Sequence, residues 1–194
     1  INQNQSFKTL PELVAFAKAN PGQLAYGSAG MGASNHLSGE LFARRAGISM
    51  THVPFKGGSP AVQSVLAGDT QVTFATPPSV LPLVQAGRLK ALATPNRNRS
   101  ALFPSLPGME EAGLSGYGIA FWYGLFAPAG TPPEVQARIT ASLEESLRAA
   151  SVASGMAIGG LRPAFETGEA FAKRIREDRA IFQGVIERTG AKVN

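Results

Sequence analysis

The sequence predicts an α/β fold, a parallel-rich sheet with helices on both faces. Two observations carry that expectation. Short strand-like runs alternate with short helix-like runs through the first half of the chain, and glycine or proline punctuates each change. Strands alternating with helices build parallel sheets covered on both sides. Right-handed crossovers then bring every strand-to-helix loop to one edge of the sheet.

The elements follow in order. Residues 9–20 read as a helix. Thr9-Leu10-Pro11-Glu12 is a capping box, Leu13, Phe16 and Ala17 share a face, and Asn20-Pro21-Gly22 stops the run. Leu24-Ala25-Tyr26 is a strand. The turn Gly27-Ser28-Ala29-Gly30-Met31-Gly32-Ala33-Ser34 opens into a helix with Leu37, Leu41 and Phe42 on one face, ended by Gly47. The cycle repeats with a strand at 50–55, a loop at Lys56-Gly57-Gly58 and a helix up to Gly68. A strand at 72–75 then leads through Thr76-Pro77-Pro78-Ser79 into a helix up to Gly87, and residues 89–94 are expected to form a further strand. Residues 95–116 are loop-rich, and 117–127 read as a longer strand. A second capping box, Thr131-Pro132-Pro133-Glu134, opens a helix with Val135, Ile139, Leu143 and Leu147 on its stripe. A last helix spans 167–189 with Phe171, Ile175, Phe182 and Ile186 inward.

Composition narrows the classes. A chain of 194 residues holds one large domain or two small ones, and buries roughly 70% of its unfolded surface without a staple. The 22 Gly and 14 Pro fall short of a low-complexity composition. The absence of Cys excludes thiol catalysis, Cys-based zinc sites and disulfide scaffolds. No run of about 18 apolar residues occurs, as a spanning helix would need. Residues 1–5 lack the pattern of a signal peptide, and a chain beginning without Met reads as a processed or cut product. The net charge of +5 is mostly a solvated basic surface and weakly favours an anionic small molecule. The densest basic cluster, Lys173, Arg174, Arg176 and Arg179, is interleaved with Glu177 and Asp178, so no nucleic-acid stripe is expected.

The Gly-rich turn is the strongest local feature. A strand turning sharply into a helix aims free backbone N–H groups and the positive helix end at one spot, and Ser28 and Ser34 add hydroxyls. This pattern captures a carboxylate or phosphate; the plainer reading is a tight turn with Ser34 or Asn35 capping the helix. No Lys follows the glycines, as a Walker loop needs. Their order, with no acid between Ser49 and His52, does not fit a dinucleotide fingerprint. Lys56 either adds charge to the site or is a solvated loop lysine. The loop at Ala75-Thr76 closes the third strand, and the three strand-end loops are expected around one cleft. His36 and His52 show no metal spacing, and no Gly-x-Ser-x-Gly elbow is present. Trp122 reads as core or cleft wall. The inventory suits a binding protein without metal, cofactor or catalytic residue better than an enzyme.

Five motifs in order resemble the tripartite tricarboxylate transporter substrate-binding proteins, the Bug family. They are Tyr26-Gly27-Ser28-Ala29-Gly30-Met31-Gly32-Ala33-Ser34-Asn35-His36-Leu37 with Glu40-Leu41-Phe42; His52-Val53-Pro54-Phe55-Lys56-Gly57; residues 82–93; residues 110–113; and Trp122-Tyr123-Gly124-Leu125 through Thr131-Pro132. The resemblance implies a type II periplasmic-binding-protein-like fold. It assigns residues 1–20 to a helix at the lobe boundary, 21–120 to lobe two, and 121–194 to a crossover strand and C-terminal helices belonging largely to lobe one. It implies a periplasmic receptor that passes a small carboxylate to transporter membrane subunits, the carboxylate being a di- or tricarboxylate, an aromatic acid or an acidic amino acid. The implied ligand residues are Ser28, Ala29, Gly30, Gly32, Ala33, Ser34, Ala75 and Thr76. A sensory or regulatory domain of the same fold is the alternative. Ala75 stands where many relatives carry Asp, which disfavours an amino-acid ligand, and Ala33 stands where many carry Ser. A preceding lobe-one segment of the family has no counterpart here. The expectation that follows is a C-terminal third that either pairs two copies of the chain or stays mobile.

Overall fold

The computed structural model describes residues 1–189. Thr9 caps α1 (Leu10–Ala19), its hydroxyl accepting the Glu12 N–H at 3.4 Å. The Glu12 carboxylate reaches back to the Lys8 N–H at 2.6 Å, one residue before the cap. Leu10, Leu13 and Ala17 form the buried face of α1. The sheet has three parallel strands in the order β2-β1-β3, with β1 (Leu24–Ser28) between β2 (Met50–Pro54) and β3 (Val72–Thr73).

Alternate residues of a strand point to opposite faces, and β1 uses both. Tyr26 lies against α2 (Ser34–Ala46), where a Cβ at Gly39 would run into its ring. Gly27 lies against α3 (Gly58–Ala67), where a Cβ would stand 3.1 Å from Ser64 Oγ. Glycine at these positions lets a helix approach each face closely. One core holds Leu13, Leu24, Tyr26, Leu41, Phe42 and Tyr117. A smaller one on the other side holds Val62, Val65 and Leu89, with Leu83 and Val84 of α4 (Pro77–Gln85) packed against it.

The second half departs from the expected elements. Residues 89–94 form no ladder; Leu89 makes an isolated antiparallel bridge to Asn2, and the N–H groups of Lys90 and Thr94 go to the carbonyls of Ile1 and Pro107. Residues 117–127 form no strand either, and Ile119 N–H bonds to Pro95 O. A strand exists through its ladder, and among the described residues neither run pairs along its length with a neighbouring strand. The second capping box does not form. The Thr131 hydroxyl donates to Pro128 O, and α5 (Pro133–Arg148) begins after Pro132. A helix absent from the expected list, α6 (Ala150–Ile158), packs on α5, and α7 (Gly168–Thr189) packs on α2. On α7, Phe171, Ile175 and Phe182 are half-buried, but the stripe then drifts by three residues to buried Val185 and leaves Ile186 exposed. That drift is the 3.6-residue period.

Candidate functional site

The chain leaves β1 through α2 to β2 on one side and returns across β1 to β3 on the other. The order therefore reverses between β1 and β3, and open α/β sheets bind ligands outside the carboxyl ends of their strands at such a point. The register sets Ser28 beside Pro54 and Gly27 beside Thr73. The loop from Ser28 through Ala29, Gly30, Gly32 and Ala33 to Ser34 thus leaves the same edge as Ala75 and Thr76.

Gly30 and Gly32 have φ of 129° and 75°, which a side chain disfavours. This folds the loop back on itself, and most of its N–H groups are already taken. Ala29 N–H donates to Asn35 Oδ1, Gly30 N–H to Ser28 Oγ and Gly32 N–H to His36 Nδ1, each at 3.1 Å; Ala33 N–H donates to Gly30 O at 3.3 Å. The expectation of open donors throughout 29–34 is therefore corrected. Among the described residues, the N–H groups of Met31, Ser34 and Asn35 have no acceptor. Ser28 is also corrected as a donor aimed at a ligand: it is fully buried, with Oγ 2.6 Å from His52 Nε2 and 3.2 Å from Gly30 O. Neither Ser34 nor Asn35 is the cap. Ala33 holds that position with no side-chain oxygen, and exposed Ser34 starts the helix.

At the neighbouring loop, Ala75 and Thr76 are half-buried. Thr76 holds the cap position of α4, and its carbonyl takes the N–H and hydroxyl of Ser79. Pro77 and Pro78 carry no N–H, so this helix end offers fewer donors than that of α2. Lys56 is exposed on the loop after β2. Trp122 is half-buried; its Nε1–H donates to Asp178 at 2.5 Å and its ring meets Phe171 edge-on.

Beneath the Gly-rich loop lies a polar cluster that the motifs did not announce. The rings of His36 and His52 stack at 4.0 Å, and Tyr26 stacks on the far side of His52 at 4.9 Å. The Tyr26 hydroxyl donates to Glu40 at 2.6 Å. Burial lowers both histidine pKa values. His52 falls to about 4, with the adjacent His36 adding to the effect and Glu40 opposing it. Burial and the bond to Glu40 raise the Tyr26 phenol. His36 and Glu40 are four apart on one helix, a legible pair, but His52 joins them only through strand register.

No group of three His, Asp or Glu suited to a metal occurs among the described residues. Two open hollows, of about 620 Å³ along Phe55, Pro60 and Ala67 and about 710 Å³ along Asn96, Arg97 and Tyr117, are not lined by the Gly-rich loop.

An α/β fold whose switch point carries a loop with free backbone donors is the framework of a ligand-binding receptor, and the one Ser–His pair there, Ser28 with His52, is buried beneath the loop. The chain belongs to the tripartite tricarboxylate transporter family of receptors, whose family model matches residues 1–191; this is a family of receptors, not enzymes. Protein BugT of Bordetella pertussis is 32% identical over 192 residues, covering 99% of this chain and 59% of that protein. A solved R. palustris protein with adipate superposes with a TM-score of 0.90 at 28% identity, over 97% of this chain and 63% of that one. MatC of Rhodopseudomonas palustris with bound malate gives 0.83 at 28%, over 95% and 64%. The periplasmic binding protein BugD shares the fold, at 0.83 and 24% identity, over 98% of this chain and 64% of that one. The chain spans about 59% of the length of BugT.

Proposed function

We propose that this chain supplies one wall of the carboxylate-binding cleft of a periplasmic receptor that delivers its ligand to transporter membrane subunits. The observation that carries this reading is the set of unpaired N–H groups at Met31, Ser34 and Asn35, at the switch point of a fold whose solved neighbours hold adipate and malate. A ligand carboxylate there takes these donors together with the hydroxyls of Ser34 and Thr76, and gains from the positive end of α2. Gly30, Gly32 and Ala33 shape the loop, and Ser28 holds it from below. Ala75 offers no carboxylate to a ligand ammonium, which favours a di- or tricarboxylate over an acidic amino acid. The exposed apolar residues of the C-terminal third favour pairing of two copies.

Calorimetric titration with malate, adipate, citrate and glutamate tests the reading. It predicts binding of the simple carboxylates in preference to glutamate, and weakening in Ser34→Ala by about 0.5–3 kcal/mol. The absence of heat for all four, or steady conversion of any of them, overturns it.

A further inference from the structure

We infer that His36 is a positioning residue for the ligand loop: its ring carries the proton on Nε2 and uses the Nδ1 lone pair to hold the Gly32 N–H, which fixes the turn that leaves Met31, Ser34 and Asn35 free for a carboxylate. This rests on the proposed reading of the loop as a carboxylate site.

The geometry is specific. Gly32 N–H points at Nδ1 at 3.1 Å, so that nitrogen is the acceptor and carries no proton. His36 is in the first turn of α2, and helical side chains lean toward the N-terminus. Its ring is thereby carried back under the loop. The ring is also clamped. His52 of β2 stacks on it at 4.0 Å, and His52 is in turn backed by Tyr26 of β1 and tied to Ser28 Oγ at 2.6 Å. The groups facing His36 are His52, the Tyr26 hydroxyl, which lies 3.4 Å from the His36 carbonyl, and Glu40 on the next turn of α2. Burial opposes a charged ring and outweighs Glu40, which favours one. The acceptor state is therefore the resting state at neutral pH. Protonating Nδ1 would set a donor against a donor, and Gly32 would lose its partner inside a folded loop.

A pair of variants separates positioning from packing. The carboxamide oxygen of Asn reaches where Nδ1 lies, whereas that of Gln reaches where Nε2 lies. His36→Asn is expected to keep the Gly32 amide protected from hydrogen exchange and to bind malate within a few-fold of the parent. His36→Gln, though larger and a better filler, is expected to lose that protection and to bind about tenfold more weakly. Affinity of the parent falls below pH 6.5 more steeply than that of His36→Asn, the ligand's own protonation being common to both. Long-range imidazole spectra should place the His36 proton on Nε2. A proton on Nδ1, or a Gly32 amide equally protected in His36→Gln, overturns the inference. If the parent binds no carboxylate, the site reading fails instead, and Gly32 protection and the imidazole spectra still decide the role of His36.

Discussion

Residues 1–89 and residues 120–189 treat their apolar side chains in opposite ways. The first region closes over them: Leu13, Tyr26, Phe42 and Val65 are almost wholly buried. In the second, α5 and α6 bury no residue, Ile158 is 81% exposed, and Leu125 and Phe126 are about two-thirds exposed. Val185 is its one buried hydrophobic side chain among the described residues. Apolar sequence makes helices in both places, but α5 and α6, unlike α7, do not meet the main core. The lesson is that the ligand loop stands on a closed core, to which Tyr117, Ile119 and Val185 also contribute, whereas α5 carries an apolar stripe, Val135 and Ile139, that is exposed. Their ion pairs, such as Arg174 with Glu166 and Arg176 with Glu169, are exposed and add little.

Truncation should therefore cost far more in the first region. Leu13→Ala is expected to destabilise by about 2–5 kcal/mol, through lost burial and the cavity left behind. Ile158→Ala should stay within about 0.5 kcal/mol. Urea unfolding of the two variants is the check; similar losses would erase the contrast. The same substitution should even change sign between regions. Gly39→Ala drives a methyl into the Tyr26 ring and should cost about 1–3 kcal/mol. Gly155→Ala, in α6 with nothing within 4 Å of the added carbon, should stabilise that helix by about 0.5–1 kcal/mol.

The sequence made the first region legible because its signals are local. Thr9 before Leu10-Pro11, Gly47 and Gly68 after apolar runs, and the Gly-rich turn each act within a few residues, and each lies where it was expected. Residues 89–94 and 117–127 were misread because a strand needs a partner that no local pattern names. The site was legible as a loop but not in detail. Glycines announce a turn that can expose donors, yet whether Asn35, His36 and Ser28 fold back to claim those donors depends on three elements meeting. The His36–His52 stack is invisible until Tyr26 is set beside His52 in register.

That stack gives a pH signature belonging to the first region alone. Both histidines have folded pKa values below the ordinary 6.5, His52 at about 4. The unfolded chain takes up protons first, so the contribution of these two rings is full above pH 6.5 and is lost as pH falls toward 4. Chemical unfolding between pH 7.5 and 5 should show this slope, and His52→Gln should reduce it. A flat profile would place both rings outside the buried cluster. The smallest effect concerns the uncapped start of α2. Ala33→Ser adds the missing side-chain oxygen and should stabilise by about 0.5–2 kcal/mol, read from the thermal midpoint.

A carboxylate held by the loop would lie on the three free backbone donors at the N-terminal end of α2. Backbone amide spectra of the chain during titration with malate test this placement most directly. The amides of Met31, Ser34 and Asn35 are expected to move with saturation, joined by Thr76, while those of the hollow near Arg97 and of α5 stay in place. Saturating shifts elsewhere with these amides unmoved would contradict it.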